Sequence, residues 1–263
     1  MNPIAAKKAF IMDMDGVIYH GNRLLPGAAE FTRWLVDNGK RFLFLTNSSE
    51  RSPRELCEKL KRLGIETGEE HFYTSALATA EFLSRQKSGC SAYVIGEAGL
   101  YNALYEKGIT TNDVDPDYVV VGETRTYSYE RIEKACFLVQ KGAKLIGCNP
   151  DLTGPSEAGI VPATGALIAP IEFATGVKAY FPGKPNPIMM RHAVKRLGVP
   201  SMDTLIIGDR MDTDIVAGVE AAVDTALMLS GVTAREDLGR FAYRPVYVFS
   251  GLDELVGSLL TDN

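Results

Sequence analysis

The sequence predicts an α/β protein built on a parallel sheet wrapped by helices. Three observations carry that expectation. Short apolar runs recur along the chain, segments with helical periodicity and clear caps fall between them, and several runs end abruptly in polar residues. At 263 residues, 46% of them hydrophobic, the chain can bury a good core in one large domain or two modest ones.

The elements follow in order. Phe10 to Met12 is apolar throughout, as a strand covered on both faces requires, and it stops at Asp13-Met14-Asp15-Gly16. Phe31, Trp34 and Leu35 mark the packed side of a helix. Phe42 to Leu45 is the next strand and runs into Thr46-Asn47-Ser48-Ser49. Ser52-Pro53-Arg54-Glu55 then supplies an N-cap hydroxyl, a proline at the first helical position and a glutamate three residues after the cap. Leu56, Leu60 and Leu63 give that helix its apolar face, Gly64 ends it, and Lys59, Lys61 and Arg62 read as its solvated side. Tyr93 to Ile95 and Tyr118 to Val121 are further strands. A helix from Ser128 to Gly142 carries Ile132, Cys136 and Val139 on one side, and another opens at Asn186-Pro187 and closes at Gly198. The last strands are Leu205 to Ile207, Thr225 to Leu229 and Val246 to Val248. The stretch from Asn149 to Gly165 has no periodicity and reads as a long connection that is also a candidate substrate loop. Glu123, Thr124 and Arg125, after a strand, fit a surface turn or a substrate contact.

Composition narrows the function. The formal net charge is −5 and no long basic block appears, so a nucleic-acid polymer is a poor partner. No stretch has the length of a membrane span or a signal-peptide core, so a cytoplasmic protein is expected. A homo-oligomer is compatible with the sequence, which does not specify one. Cys57, Cys90, Cys136 and Cys148 form no C-x-x-C pair and read as reduced, packed thiols. His20, His71 and His192 share no metal-ligand spacing.

Four polar motifs follow strands or open helices: Asp13-x-Asp15-Gly16, Thr46-Asn47, Gly183-Lys184-Pro185, and Gly208-Asp209-Arg210-Met211-Asp212-Thr213-Asp214. Each alone is a turn sequence. Together they suit phosphoryl transfer to a carboxylate. A phosphate dianion repels an attacking carboxylate, so that chemistry needs a divalent cation and a lysine to offset the charge. Asp13, Asp209 and Asp214 offer the hard oxygen ligands magnesium prefers, and Lys184 a fixed positive charge. Thr46 offers a hydroxyl to a phosphate oxygen. Asp15 is left for the leaving group, its protonated form favoured by the neighbouring carboxylate.

These motifs, spread over essentially the whole chain, resemble the haloacid dehalogenase superfamily of aspartate-nucleophile phosphatases. Pro26-Gly27-Ala28-Ala29-Glu30-Phe31, Tyr73-Thr74-Ser75, Val121-Gly122-Glu123-Thr124 and Asn149-Pro150-Asp151 resemble its NagD-type branch. The resemblance implies a Rossmann-like core with an inserted smaller α/β cap. It implies Asp13 as nucleophile and Asp15 as general acid and base. It implies Mg2+ held by the Asp13 side chain, the Asp15 backbone carbonyl and Asp209, with Asp214 either ligating through water or orienting Lys184. Thr46, Asn47 and Lys184 would hold the transferring phosphoryl group. Asp13 and Thr46 are too close for a large insertion between them, whereas the interval from Thr46 to Lys184 far exceeds a single crossover. A cap of the second type is therefore expected at 82–178, with the core formed by 1–81 and 179–263, and specificity residing in the cap.

The implied substrate is a small soluble phosphate monoester, with nucleoside monophosphates such as UMP first. Phosphoglycolate, a sugar phosphate or p-nitrophenyl phosphate would use the same mechanism. A non-catalytic phosphate sensor is the third reading, against which the joint presence of Asp13, Asp15, Lys184 and Asp209 stands. Dehalogenation is disfavoured because carbon–halogen cleavage does not require the proton donor Asp15.

Overall fold

The computed structural model describes residues 2–156 and 159–260. The chain forms two compact units, one of Met1–Thr46, Cys57–Tyr73 and Lys184–Asn263, the other of Asn47–Leu56 and Thr74–Gly183. Phe82 and Lys178, where the sequence places the limits of the insertion, both fall inside the second unit.

The first unit is built on a six-stranded sheet in the order Tyr247–Phe249, Asp224–Met228, Thr204–Gly208, Ala9–Met12, Arg41–Thr46, Phe72–Thr74. The neighbours from Tyr247–Phe249 to Arg41–Thr46 run parallel. All four residues of Ala9–Met12 are fully buried, which requires both faces of that strand to be covered. The Phe10 ring meets Phe31 and Trp34 edge-on at 5.7 and 5.8 Å, and those two rings stack on each other. Trp34 is thus a packing residue, as its helical spacing predicts. After Ala9–Met12 the chain adds strands on one side and later returns to add three on the other. That reversal is the position at which open α/β sheets place their ligands, beyond the strand carboxyl ends.

Caps form as the sequence predicts. Ser52 N–H and Ser52 Oγ both donate to Glu55 Oε2 at 2.8 Å, and Glu55 N–H donates to Ser52 Oγ at 3.4 Å. Asn186 Oδ1 accepts from Ile188 N–H at 3.0 Å, and the helix it opens ends at Gly198, whose φ of +61° is the left-handed conformation glycine favours.

In the second unit a parallel sheet runs Thr110–Thr111, Ser91–Ile95, Tyr118–Val121, Lys144–Gly147. The strand period of two divides Tyr118–Val121 between two apolar clusters. Val120 packs with Leu83, Leu100 and Leu104, and Val119 and Val121 pack with Leu138, Leu145 and Ile168. The stretch from Asn149 to Gly165 is not a plain connection. Thr153–Ser156 pairs antiparallel with Gly159–Pro162, and the helix Thr164–Thr175 follows. Neither hairpin strand buries a face, so there is no hydrophobic alternation to betray it, and its glycines and prolines read as turn residues. Phe72–Thr74 and Thr110–Thr111 were also not anticipated; both are very short edge strands. No helix among the described residues is long and apolar enough to cross a membrane.

Candidate active site

Strand register brings the motifs of the first unit together. Met12 lies level with Ile207 on one side and Phe44 on the other, so Asp13, Asp209 and Thr46 all emerge within two residues of that level at the same end of the sheet. Asp13 N–H still donates to Ile207 O at 2.8 Å, which holds the residue in line with the strand. Asp214 arrives from the wide helical turn Met211–Ile215, where Ile215 N–H bonds to Arg210 O; such turns recur at functional sites. Lys184, the first residue of the returning segment of the unit, is 2% exposed.

The Lys184 ammonium donates to Asp13 Oδ1 and to Asp214 Oδ1, each at 2.6 Å, and to Leu45 O at 3.2 Å. Asp214 is held in turn by Arg210 N–H at 3.2 Å. Asp209 Oδ2 accepts from Val232 N–H at 2.7 Å. Glycines make room for this cluster. A Cβ at Gly16 or Gly231 would overlap the Asp209 carboxylate, and one at Gly208 would overlap Asp214. Gly16 also has φ of +83°, so two independent constraints require glycine there.

Burial of like charges sets the electrostatics. Burial raises the Asp13 carboxyl to about 7, with Asp214 adding to the rise and Lys184 opposing it. Asp209 is raised well above the usual carboxylate range, by burial first and then by Asp13 and Asp214. Burial by itself would lower Lys184, but the Asp13 and Asp214 carboxylates outweigh it and raise the ammonium. One oxygen each from Asp13, Asp209 and Asp214 lies within 4.8 Å of the others. Three converging carboxylates beside a single lysine fit a divalent cation, which favours hard oxygen ligands.

Asp15 has a different partner. Its Oδ1 lies 3.4 Å from His20 Nδ1, and burial raises its carboxyl while His20 and Lys59 pull it down. Thr46 is buried at the end of its strand. Asn47 belongs to the second unit, where its amide donates to Asp151 Oδ2 at 2.9 Å. Also in that unit, Glu123 is no surface turn residue. Its carboxylate accepts from Ser49 N–H at 2.9 Å and from Asn149 Nδ2 at 2.6 Å, tying three segments together.

Two features of the first unit escaped the sequence. The loop Ser230-Gly231-Val232-Thr233 completes the Asp209 pocket, for which the Ser-Gly pair after a strand was the available signal. Lys59 does not lie on a solvated face. It is 7% exposed, with its ammonium 3.4 Å from the centre of the Tyr19 ring. Helical charge patterning misplaced it because a lysine stem can occupy an apolar face when an aromatic ring receives the head.

Comparison with known proteins meets this geometry. Residues 10–110 match the haloacid dehalogenase-like hydrolase family and residues 181–255 a HAD-hydrolase-like family. A dihydroxyacetone phosphatase of Corynebacterium glutamicum is 45% identical over 94% of this chain and 90% of its own length. The chain belongs to the haloacid dehalogenase-like hydrolases. The ribonucleotide monophosphatase NagD of Escherichia coli K12 is 42% identical over 94% of this chain and 98% of its own. The solved structure of NagD from that strain superposes with a TM-score of 0.89 at 40% identity, covering 95% and 98% of the two chains. A 4-nitrophenylphosphatase structure from Thermotoga maritima gives 0.93 at 36% identity, covering 98% and 99%. This haloacid dehalogenase-like hydrolase is a phosphatase of the NagD type, which removes the sensor reading. Its relatives act on small phosphates, and phosphatases of this superfamily generally use a divalent metal.

Proposed function

We propose that this phosphatase hydrolyses small phosphate monoesters through an aspartyl-phosphate on Asp13, with Mg2+ as its metal and the cytoplasm as its compartment. The observation that carries the reading is the Lys184 ammonium bonded at once to Asp13 and Asp214, beside a third carboxylate on Asp209. A carboxylate that attacks phosphorus must be ionised and must approach an anion, and Lys184 serves both needs. Asp13, Asp209 and Asp214 would hold the cation, with the Asp15 backbone carbonyl expected to assist. When bound it would supply positive charge against the phosphate oxygens.

In the first step an Asp13 carboxylate oxygen forms a bond to phosphorus as the bond to the leaving oxygen breaks, and Asp15 gives that oxygen its proton. In the second, Asp15 takes a proton from water, whose oxygen bonds to phosphorus while the Asp13–phosphorus bond breaks. Phosphate leaves and both aspartates are restored. Thr46, Asn47 and Lys184 hold the phosphoryl oxygens in this reading. The second unit is the cap, and it selects the rest of the substrate.

For the substrate we infer nucleoside monophosphates such as UMP, supported by the likeness to NagD over nearly the whole chain. A triose or sugar phosphate is the second reading, supported by the 45% identity to a dihydroxyacetone phosphatase and by acid sugar phosphatases of Staphylococcus aureus at 38%. Phosphate release from UMP, dihydroxyacetone phosphate, sugar phosphates and phosphoglycolate, with and without EDTA, tests both. A higher kcat/KM for UMP supports the first reading and one for dihydroxyacetone phosphate the second. Full turnover in EDTA would contradict the metal assignment.

A further inference from the structure

Lys59 has no role in the chemistry above, yet its ammonium is buried beside the turn that carries Asp15. It belongs to the same unit as Asp13, Asp15, Lys184 and Asp209 and lies on the helix Pro53–Arg62 next to the fully buried Leu60. Its Nζ stands 3.4 Å from the centre of the Tyr19 ring, which is itself 6% exposed. A cation stripped of most of its water and placed on an aromatic face is held more firmly than an exposed one.

Tyr19 in turn closes the Asp15 turn. Its carbonyl accepts from Gly16 N–H at 2.8 Å and its N–H donates to Met14 O at 3.1 Å, so both neighbours of Asp15 are tied to the residue beneath Lys59. On its other side the turn is held by Ser230 Oγ, which donates to Gly16 O at 2.8 Å.

We propose that Lys59 is a positioning residue for phosphoryl transfer: seated on the Tyr19 ring, it fixes the turn that aims Asp15 at the leaving oxygen. This rests on the reading of Asp15 as general acid. A misplaced acid matters most where the leaving group needs its proton most, so the signature is selective rather than general.

The test is steady-state kinetics on aryl phosphates of graded leaving-group acidity, from p-nitrophenyl to phenyl phosphate. Lys59→Met is expected to lower kcat for phenyl phosphate on the order of tenfold while changing that for p-nitrophenyl phosphate by less than about threefold, with KM little changed. Lys59→Arg, which also stacks on aromatic faces, should recover most of the loss. Tyr19→Leu, which keeps the lysine and removes the ring, should show the same selectivity and covers the case in which Lys59→Met fails to fold. Equal losses across the series, a rise in KM alone, or unchanged rates would overturn the proposal. Asp15→Asn measured alongside separates two failures. If it shows steep leaving-group selectivity and the Lys59 and Tyr19 variants do not, the positioning role falls. If it shows none, the acid assignment itself falls.

Discussion

Replacing Asp209 by Asn should abolish most turnover yet make the metal-free protein more stable at alkaline pH. Asp13, Asp209 and Asp214 crowd three carboxylates within 4.8 Å against one lysine. At an effective dielectric constant near 20, two charges at such a separation repel by roughly 3 to 4 kcal/mol. The rise of Asp13 from 3.8 to about 7 corresponds to about 4 kcal/mol at most, shared among the coupled groups. Asparagine keeps an oxygen able to accept the Val232 N–H bond while losing the charge. We therefore expect a gain of about 2 kcal/mol at pH 8 in EDTA, or roughly 4 to 8 °C in Tm. The sign follows from linkage. The Asp13 and Asp209 carboxyls titrate higher folded than unfolded, Asp13 near 7, so their charge costs stability progressively as pH rises above about 4, and it costs nothing at pH values below both the unfolded and the folded range. The gain should accordingly be smaller at pH 5 than at pH 8. Added divalent cation should stabilise the wild type and not the variant. Thermal unfolding in EDTA and in excess Mg2+, at both pH values, reads all of this. A variant less stable than wild type at pH 8, or a gain equal at both pH values, would refute the electrostatic account.

Other expectations concern the remaining machinery. Asp13→Asn should eliminate turnover with the fold intact by circular dichroism; activity persisting in added Mg2+ would exclude Asp13 as nucleophile. Asp15→Asn should cost on the order of 10² to 10⁴ in kcat, with the larger loss on poorer leaving groups. Lys184→Met leaves the buried carboxylates without their partner and should destabilise the metal-free protein by about 3 to 5 kcal/mol, read by urea unfolding at pH 8; an unchanged midpoint would show that the ammonium does not hold them. Gly231→Ala places a methyl group on the Asp209 carboxylate and should weaken Mg2+ binding measured by calorimetry, with wild-type affinity as the contrary result.

The legible parts of the sequence were those where local chemistry and fold agree. Ala9–Met12 and Tyr118–Val121 are apolar because both faces are covered, and Ser52 with Glu55 caps a helix through side chains three residues apart. Asp13, Lys184, Asp209 and Asp214 were legible as a set because chemistry that neutralises a phosphate calls for those groups; sheet register aligns Asp13 with Asp209, and the turn Met211–Ile215 and the segment that opens at Lys184 supply the other two. The exposed hairpin at Thr153–Ser156 and Gly159–Pro162 left no pattern, since backbone pairing needs no side-chain periodicity. Lys59 was hidden for a different reason: its environment depends on Tyr19, forty residues earlier in the chain, a contact that no local window contains. The Ser230 to Thr233 loop likewise acquires its meaning only from Asp209 packed against Gly231.

The most direct test of the central assignment is a rapid acid quench of the Asp15→Asn variant during turnover of p-nitrophenyl phosphate with Mg2+, followed by peptide mapping by mass spectrometry. The account predicts one phosphoryl group, on Asp13, that is lost on mild alkaline treatment. A phosphoryl group on another residue, or p-nitrophenol released in a burst with no phosphorylated peptide, would contradict it.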